Sequence, residues 1–137
     1  MKRVFDKKVA LITGAASGIG RALAASLAAK GGRLLLCDQD ETGLQSAQEE
    51  MREATLHAMP VDVTQPGSIE EFKEAINSNK WPIDLLINCA GATIAAKPFT
   101  ESTPEEWDWI LDLNVKGTLN CIRAFLPLMH DKWGHHR

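Results

Sequence analysis

The segment Thr13-Gly14-Ala15-Ala16-Ser17-Gly18-Ile19-Gly20 constrains this chain more than any other. It follows directly on the apolar run Val9-Ala10-Leu11-Ile12, and it leads into apolar residues spaced four apart, Ile19, Leu23 and Leu27. A continuous apolar run reads as a strand covered on both faces. The spacing of four reads as one stripe of a helix, which stops near Gly31-Gly32. Glycines at a strand-to-helix junction permit a tight turn and keep side-chain carbon away from whatever approaches the loop. The unpaired amides and the positive dipole end of the helix then face that approach, an arrangement suited to a pyrophosphate. The plainer interpretation is a structural turn; the placement between strand and helix favours the phosphate.

The alternation continues along the chain. Leu34-Leu35-Leu36-Cys37 is a second buried strand ending at Asp38, followed by a helix marked by Leu44, Ala47 and Met51 with Asp40 as its N-cap. A weaker third strand spans Leu56 to Val61 and belongs near an edge. A helix striped by Ile69, Phe72 and Ile76 starts at Pro66, and Asp84 to Asn88 carry a fourth strand. Thr103-Pro104-Glu105-Glu106 reads as a capping box. After it Trp107, Ile110, Leu111, Val115, Leu119, Ile122 and Leu126 sustain helical spacing until Pro127 kinks or ends it. This βαβαβαβα order calls for a parallel α/β sheet with right-handed crossovers and helices on both faces. No linker or composition break divides residues 1–137, so one domain is expected.

Composition narrows the function classes. With 45% apolar and 24% charged residues the chain is ordinary globular material, and disorder is excluded. Fifteen basic residues against eighteen acidic ones leave no cationic excess for a nucleic-acid backbone. No apolar run approaches the roughly 18 residues of a membrane span. Met1-Lys2-Arg3 is basic, yet the apolar stretch after it is too short for a secretory signal. Cys37, Cys89 and Cys121 lie far apart, odd in number and without metal-ligand spacing, which predicts reduced thiols, a cytoplasmic protein and no metal centre. His57 and His130 are isolated, and His135-His136-Arg137 reads as a frayed tail.

Three motifs in order resemble the short-chain dehydrogenase/reductase family. Thr13-Gly14 through Gly18-Ile19-Gly20 is similar to its cofactor loop. Asn88-Cys89-Ala90-Gly91 resembles its Asn-Asn-Ala-Gly after the fourth strand, with Cys in second place. Leu113-Asn114-Val115-Lys116-Gly117 lies where the family carries its catalytic Asn. The resemblance runs from about Asp6 to about Gly134. It implies a Rossmann-type doubly wound parallel sheet, here four strands in the order 3-2-1-4 with flanking helices and without the family's later strands. It also implies NAD(P) binding and hydride transfer between the nicotinamide and an alcohol or ketone.

Carried over residue by residue, the resemblance gives Thr13, Gly14, Ser17, Gly18, Ile19 and Gly20 to the pyrophosphate loop. Asp38, eighteen positions after Gly20, can accept from the adenosine ribose hydroxyls and repel a 2′-phosphate, so NAD is expected over NADP; a strand-end turn residue or helix cap is the alternative. Neither Ser17 nor Gln39 supplies a cation for that phosphate. Asp62 and Val63 match the family's adenine contacts, although a loop aspartate capping the next helix explains Asp62 equally well. Asn88 holds strands around the cofactor or is simply a turn-forming residue, while Ala90 and Gly91 let a ribose approach. Asn114 is the one catalytic candidate. Lys116 is expected in solvent, and Trp107 and Trp109 on a face used for packing or subunit contact.

The chain contains no Tyr, so the family's Tyr-x-x-x-Lys pair cannot occur in it, and no counterpart of the family's Ser is found. Where the family continues from Gly into an Ile-Val strand, this chain reads Gly134-His135-His136-Arg137. One inserted C turns codons for His-Ile-Val into His-His-Arg, so a frameshifted or truncated copy of a longer dehydrogenase is the expectation. Two functions follow. One is the NAD(H)-binding half of an oxidoreductase, inactive alone and taking a small alcohol or ketone only when completed. The other is a non-catalytic dinucleotide-binding or subunit-interaction module. An open fourth-strand edge and the Trp-bearing helix predict self-association.

Overall fold

In the computed structural model, which describes residues 3–129, strands and helices alternate as β1 (Val9–Thr13), α1 (Gly18–Ala29), β2 (Arg33–Asp38), α2 (Glu41–Glu50), β3 (Thr55–Pro60), α3 (Pro66–Ser78), β4 (Leu85–Asn88), α4 (Pro104–Leu111) and α5 (Gly117–Phe125). The strands form one parallel sheet in the order β3-β2-β1-β4. β1 is buried along its whole length between two neighbours, as its unbroken apolar run requires. Successive strand residues feed opposite cores. Val9, Leu11, Leu35 and Cys37 pack with Phe72, Ile76 and Phe125 of α3 and α5, whereas Ala10, Ile12, Leu34 and Leu36 pack with Ala24, Leu27 and Leu44 of α1 and α2. This is the doubly wound α/β sheet that the sequence predicts. His130 and the His135-His136-Arg137 tail lie outside the described residues.

Helix ends follow their local chemistry. The Asp40 carboxylate accepts from the Gly43 amide at 3.0 Å and caps α2. Thr103 and Glu106 exchange side-chain hydrogen bonds with each other's amides at the start of α4, the capping box read from sequence. Pro127 sits in the 3-10 turn Leu126–Leu128 that ends α5. β3 runs along the edge as expected, one residue earlier than its apolar pattern suggests, and a bulge between Leu34 and Leu35 skips Leu56 in its pairing with β2. Asp84 precedes β4 instead of opening it: its carboxylate accepts from the Val9 amide at 2.9 Å, and its own amide donates back to Val9 at 2.9 Å.

Two helical stripes differ from the expectation. In α1 the buried residues are Gly20, Ala24 and Leu27, whereas Ile19 is 75% exposed and Leu23 lies at the surface. The helix is turned by one residue, about 100°, because Gly20 must face the sheet: a Cβ there would run into the Gly14 carbonyl oxygen and lie 3.2 Å from the Cys89 Cβ. The expected long helix is broken into α4 and α5 by the π-helical stretch Asp112–Lys116. Gly117, Cys121 and Phe125 are its buried stripe, and Leu111, Val115, Leu119, Ile122 and Leu126 face outward. Gly117 sets that choice, since a Cβ at this position would come within 2.6 Å of Val63 Cγ2. Beyond β4, the described chain places only one parallel bridge, between Ile83 and Met129. Among the described residues no helix is long and apolar enough to cross a membrane.

Candidate functional site

A cleft of about 560 Å³ opens at the carboxyl ends of β1, β2 and β4. The chain leaves β1 toward β2 and β3 and later returns to β1's other side as β4, so the strand order reverses here, the place where open parallel sheets bind ligands. The floor is the glycine loop. Gly14 and Gly18 adopt left-handed backbone, with φ of +66° and +58°. At Gly14 the reason is also space, because a Cβ would lie 2.7 Å from the Ala90 amide. Ser17 is the N-cap of α1 in extended conformation, and its hydroxyl makes no capping bond to the first-turn amides. Those amides therefore remain available to a ligand anion at the positive end of the helix.

Asp38 stands at the end of β2 on the cleft wall. One carboxylate oxygen accepts from the Ala16 amide at 2.9 Å and the other from the Asp40 amide at 2.8 Å. A carboxylate offers about four acceptor positions, so each oxygen keeps capacity for a further donor. Gln39 and Asp40 line the same wall, and among the described residues no Lys or Arg does. Val61 and Val63 form an apolar flank. Asp62 between them is outside the cleft lining: its Oδ1 accepts from the Thr64 amide at 2.9 Å and the Thr64 hydroxyl at 2.7 Å, closing a local turn. It does not cap α3, whose N-cap is Gln65.

On the opposite wall lie Cys89, Ala90, Gly91 and Ala92. Thr13 is buried beneath them, and its hydroxyl oxygen accepts from the Cys89 and Ala90 amides at 3.1 and 3.0 Å. It shapes the cleft from below without lining it. Asn114 leaves the π-helical stretch and pairs with the Ala92 backbone in both directions, accepting at 3.0 Å and donating at 2.8 Å. The side-chain Oδ1 of Asn88 is buried with no hydrogen-bond partner among the described residues. Leu113 and Trp109 complete the rim, so Trp109 reaches the cleft as well as the helix surface.

Burial disfavours the thiolate form of all three cysteines. Burial pushes Cys89 above the ordinary range, pushes Cys121 up to about 11, and together with the neighbouring Cys121 and Asp38 pushes Cys37 well up. All three are free. His57 lies away from the cleft, stacked between Phe72 and Trp81. Lys116 is exposed beside Asp112, and Lys97 pairs with Glu106 at 2.6 Å, so neither lysine points its charge at the site. Sequence reading missed three contributors. Trp109 was legible only as helix packing or subunit contact, Leu113 only as part of the motif around Asn114, and Asn120, which was not singled out, ties α5 to the cleft by donating to the Val63 carbonyl at 3.0 Å.

Comparison with known proteins agrees with this geometry. The family model for short chain dehydrogenase matches residues 8–135. An uncharacterized oxidoreductase of Staphylococcus aureus is 32% identical over 133 residues, 97% of this chain and 57% of that protein. One from Staphylococcus epidermidis is 34% identical over 130 residues, 94% of this chain and 56% of that protein. A short chain dehydrogenase/reductase from Burkholderia phymatum, solved in complex with NAD, superposes with a TM-score of 0.80 at 33% identity and covers 94% of this chain and 46% of its own. A short-chain type dehydrogenase/reductase from Mycobacterium ulcerans reaches 0.83 at 26% identity, covering 91% of this chain and 47% of its own. The chain thus spans about half the length of the relatives it matches. It belongs to the short-chain dehydrogenase family.

Proposed function

We propose that residues 1–137 form a single cofactor-binding domain, the NAD(H)-binding part of a nicotinamide-dependent oxidoreductase. The observation that carries this is the cradle between Gly14, the open first turn of α1 and Asp38. A Cβ at Gly14 would strike the Cys89 and Ala90 backbone that walls it, no cation among the described residues lines it, and a braced carboxylate faces it. These features fit a dinucleotide whose adenosine ribose carries free hydroxyls. The NAD complex of the Burkholderia phymatum relative supports the choice.

In this reading Gly14, Ser17, Gly18, Ile19 and Gly20 receive the pyrophosphate, and Asp38 accepts from the ribose hydroxyls. Val63 walls the adenine, while Asp62, outside the cleft lining, closes the turn that carries Val63. Ala90 and Gly91 allow the second ribose close approach, while Thr13 and Asn88 hold the strand ends beneath. The bound nicotinamide would supply or accept hydride at an alcohol or ketone carbon. Asn114 holds the Ala92 loop at that end of the cleft and is the catalytic support residue. This chain has no Tyr, and among the described residues the cleft wall carries no Lys or His that could move a proton to an alkoxide. The chain alone is therefore expected to bind without turnover, taking an alcohol or ketone only alongside a segment that supplies the proton donor.

A second reading, a non-catalytic module for dinucleotide binding or subunit contact, draws on the outward apolar row of α4 and α5 and implies self-association. The balanced charge and the free thiols support a cytoplasmic setting without nucleic-acid or membrane partners. Calorimetric titration with NAD and NADP tests the cofactor, and equal affinities would sink the Asp38 assignment. Assays with secondary alcohols and ketones separate the readings: turnover that survives removal of contaminating enzyme and disappears in Asn114→Ala would restore full catalysis to this chain.

A further inference from the structure

Arg21 stands in the first turns of α1 and reaches two places at once. Its Nε and Nη2 donate to Glu50 Oε2 at 3.0 and 2.7 Å, and Nη2 also donates to the Ser46 hydroxyl at 3.2 Å, both on α2. Its Nη1 donates to the Ala16 carbonyl at 3.3 Å, inside the glycine loop. The Ala16 amide is held from the other direction by Asp38 at 2.9 Å, and the Ala15 amide donates to the Cys37 carbonyl at 3.2 Å. The loop between Gly14 and Gly18 is therefore fastened to β2 on one side and, through Arg21, to α2 on the other.

We propose that Arg21 is a positioning residue that aims the phosphate-facing amides of the loop by clamping the Ala16 peptide to α2, a role that rests on the dinucleotide reading of the cleft. The Ala16 carbonyl and the Ser17 amide belong to one planar trans peptide and point in opposite directions. Fixing the carbonyl fixes that amide, and with it the angle at which the chain enters α1. Only a fork of donors can serve Glu50, Ser46 and Ala16 together; a lysine ammonium, compact and single, reaches one of them well. The Arg21 and Glu50 side chains are 30% and 52% exposed, so the pair adds little to folding stability. Its effect falls on ligands that carry phosphate.

The test uses the whole chain with NAD, ADP-ribose and adenosine as probes, in the parent, Arg21→Gln, Arg21→Lys and Glu50→Gln. Both Arg21 variants are expected to bind NAD and ADP-ribose about threefold to tenfold more weakly, the worth of one or two hydrogen bonds. Adenosine, which lacks phosphate, should hold its affinity, and melting temperature should fall by no more than about 4 °C. Glu50→Gln keeps an acceptor for the guanidinium and should recover most of the NAD affinity. Unchanged NAD affinity in both Arg21 variants overturns the clamp while leaving the cofactor reading intact. So does a loss for adenosine that matches the loss for NAD, which would mark damage to the fold. A parent chain that binds none of the three overturns the cofactor reading, and the clamp with it.

Discussion

Asp38 holds the loop together with both carboxylate oxygens and, in the dinucleotide reading proposed above, would face the adenosine ribose with the same two oxygens. Replacing it by Ala removes the acceptor for the Ala16 and Asp40 amides and the charge-assisted partner of a ribose hydroxyl, worth about 1.5–3 kcal/mol. Asp38→Ala should weaken NAD at least about tenfold and NADP less, narrowing the preference measured by parallel titrations. His57 obeys a different balance. It is packed between Phe72 and Trp81 with ring centroids 5.9 and 5.7 Å away, and burial lowers its pKa below the ordinary histidine value of 6.5. The folded state then binds fewer protons than the unfolded chain, so the contribution is full above pH 6.5 and is lost as pH falls below it. Urea midpoints should drop between pH 7.5 and 5, and His57→Phe should drop less. Among site residues, Gly14, Asp38 and Gly91 were legible because their chemistry is local: a turn, a strand end, a close approach. Thr13 was legible only through the family resemblance, as part of the pyrophosphate loop, and Arg21 not at all, since their partners lie at Ala90 and Glu50 and no pattern in one chain announces a contact across that separation.

At the scale of elements, the apolar spacing located the four strands and α1 to α3, read α4 and α5 as one helix, and chose the wrong buried face twice. Spacing counts large apolar residues, whereas α1 and α5 approach their neighbours through Gly20, Ala24 and Gly117, which carry little hydrophobic signal. The π-helical stretch was equally hidden, because Leu111, Val115 and Leu119 keep helical spacing through it. Two glycine substitutions test this account by calorimetry. Gly117→Ala pushes a methyl against Val63, a stiff side chain only 5% exposed, and should destabilise by about 1–3 kcal/mol. Gly67→Ala meets open space in the first turn of α3 and should stabilise by about 0.4–1 kcal/mol.

For the whole molecule, the sheet order followed from motif order together with the family resemblance, and the uncovered surface follows from the sheet order. β4 is only half-buried, and Leu111, Val115 and Leu119 along α4, the π-helical stretch and α5 stand 53%, 50% and 58% exposed. Apolar surface of this kind favours association. Sedimentation at micromolar concentration should show dimers or larger species, and Leu119→Lys should shift the distribution toward monomer; a clean monomer in the parent would count against the reading. The same sheet order also dictates a sequence of events in synthesis. β1 leaves the ribosome before the other strands, yet it is an inner strand, and its second flank is closed only when β4 arrives and Thr13 gathers in the amides of Cys89 and Ala90, 76 and 77 residues later. Until then the most apolar strand of the nascent chain has one side unsatisfied. A chain halted before Ala90 is therefore expected to keep that flank open, and with it an apolar surface prone to association.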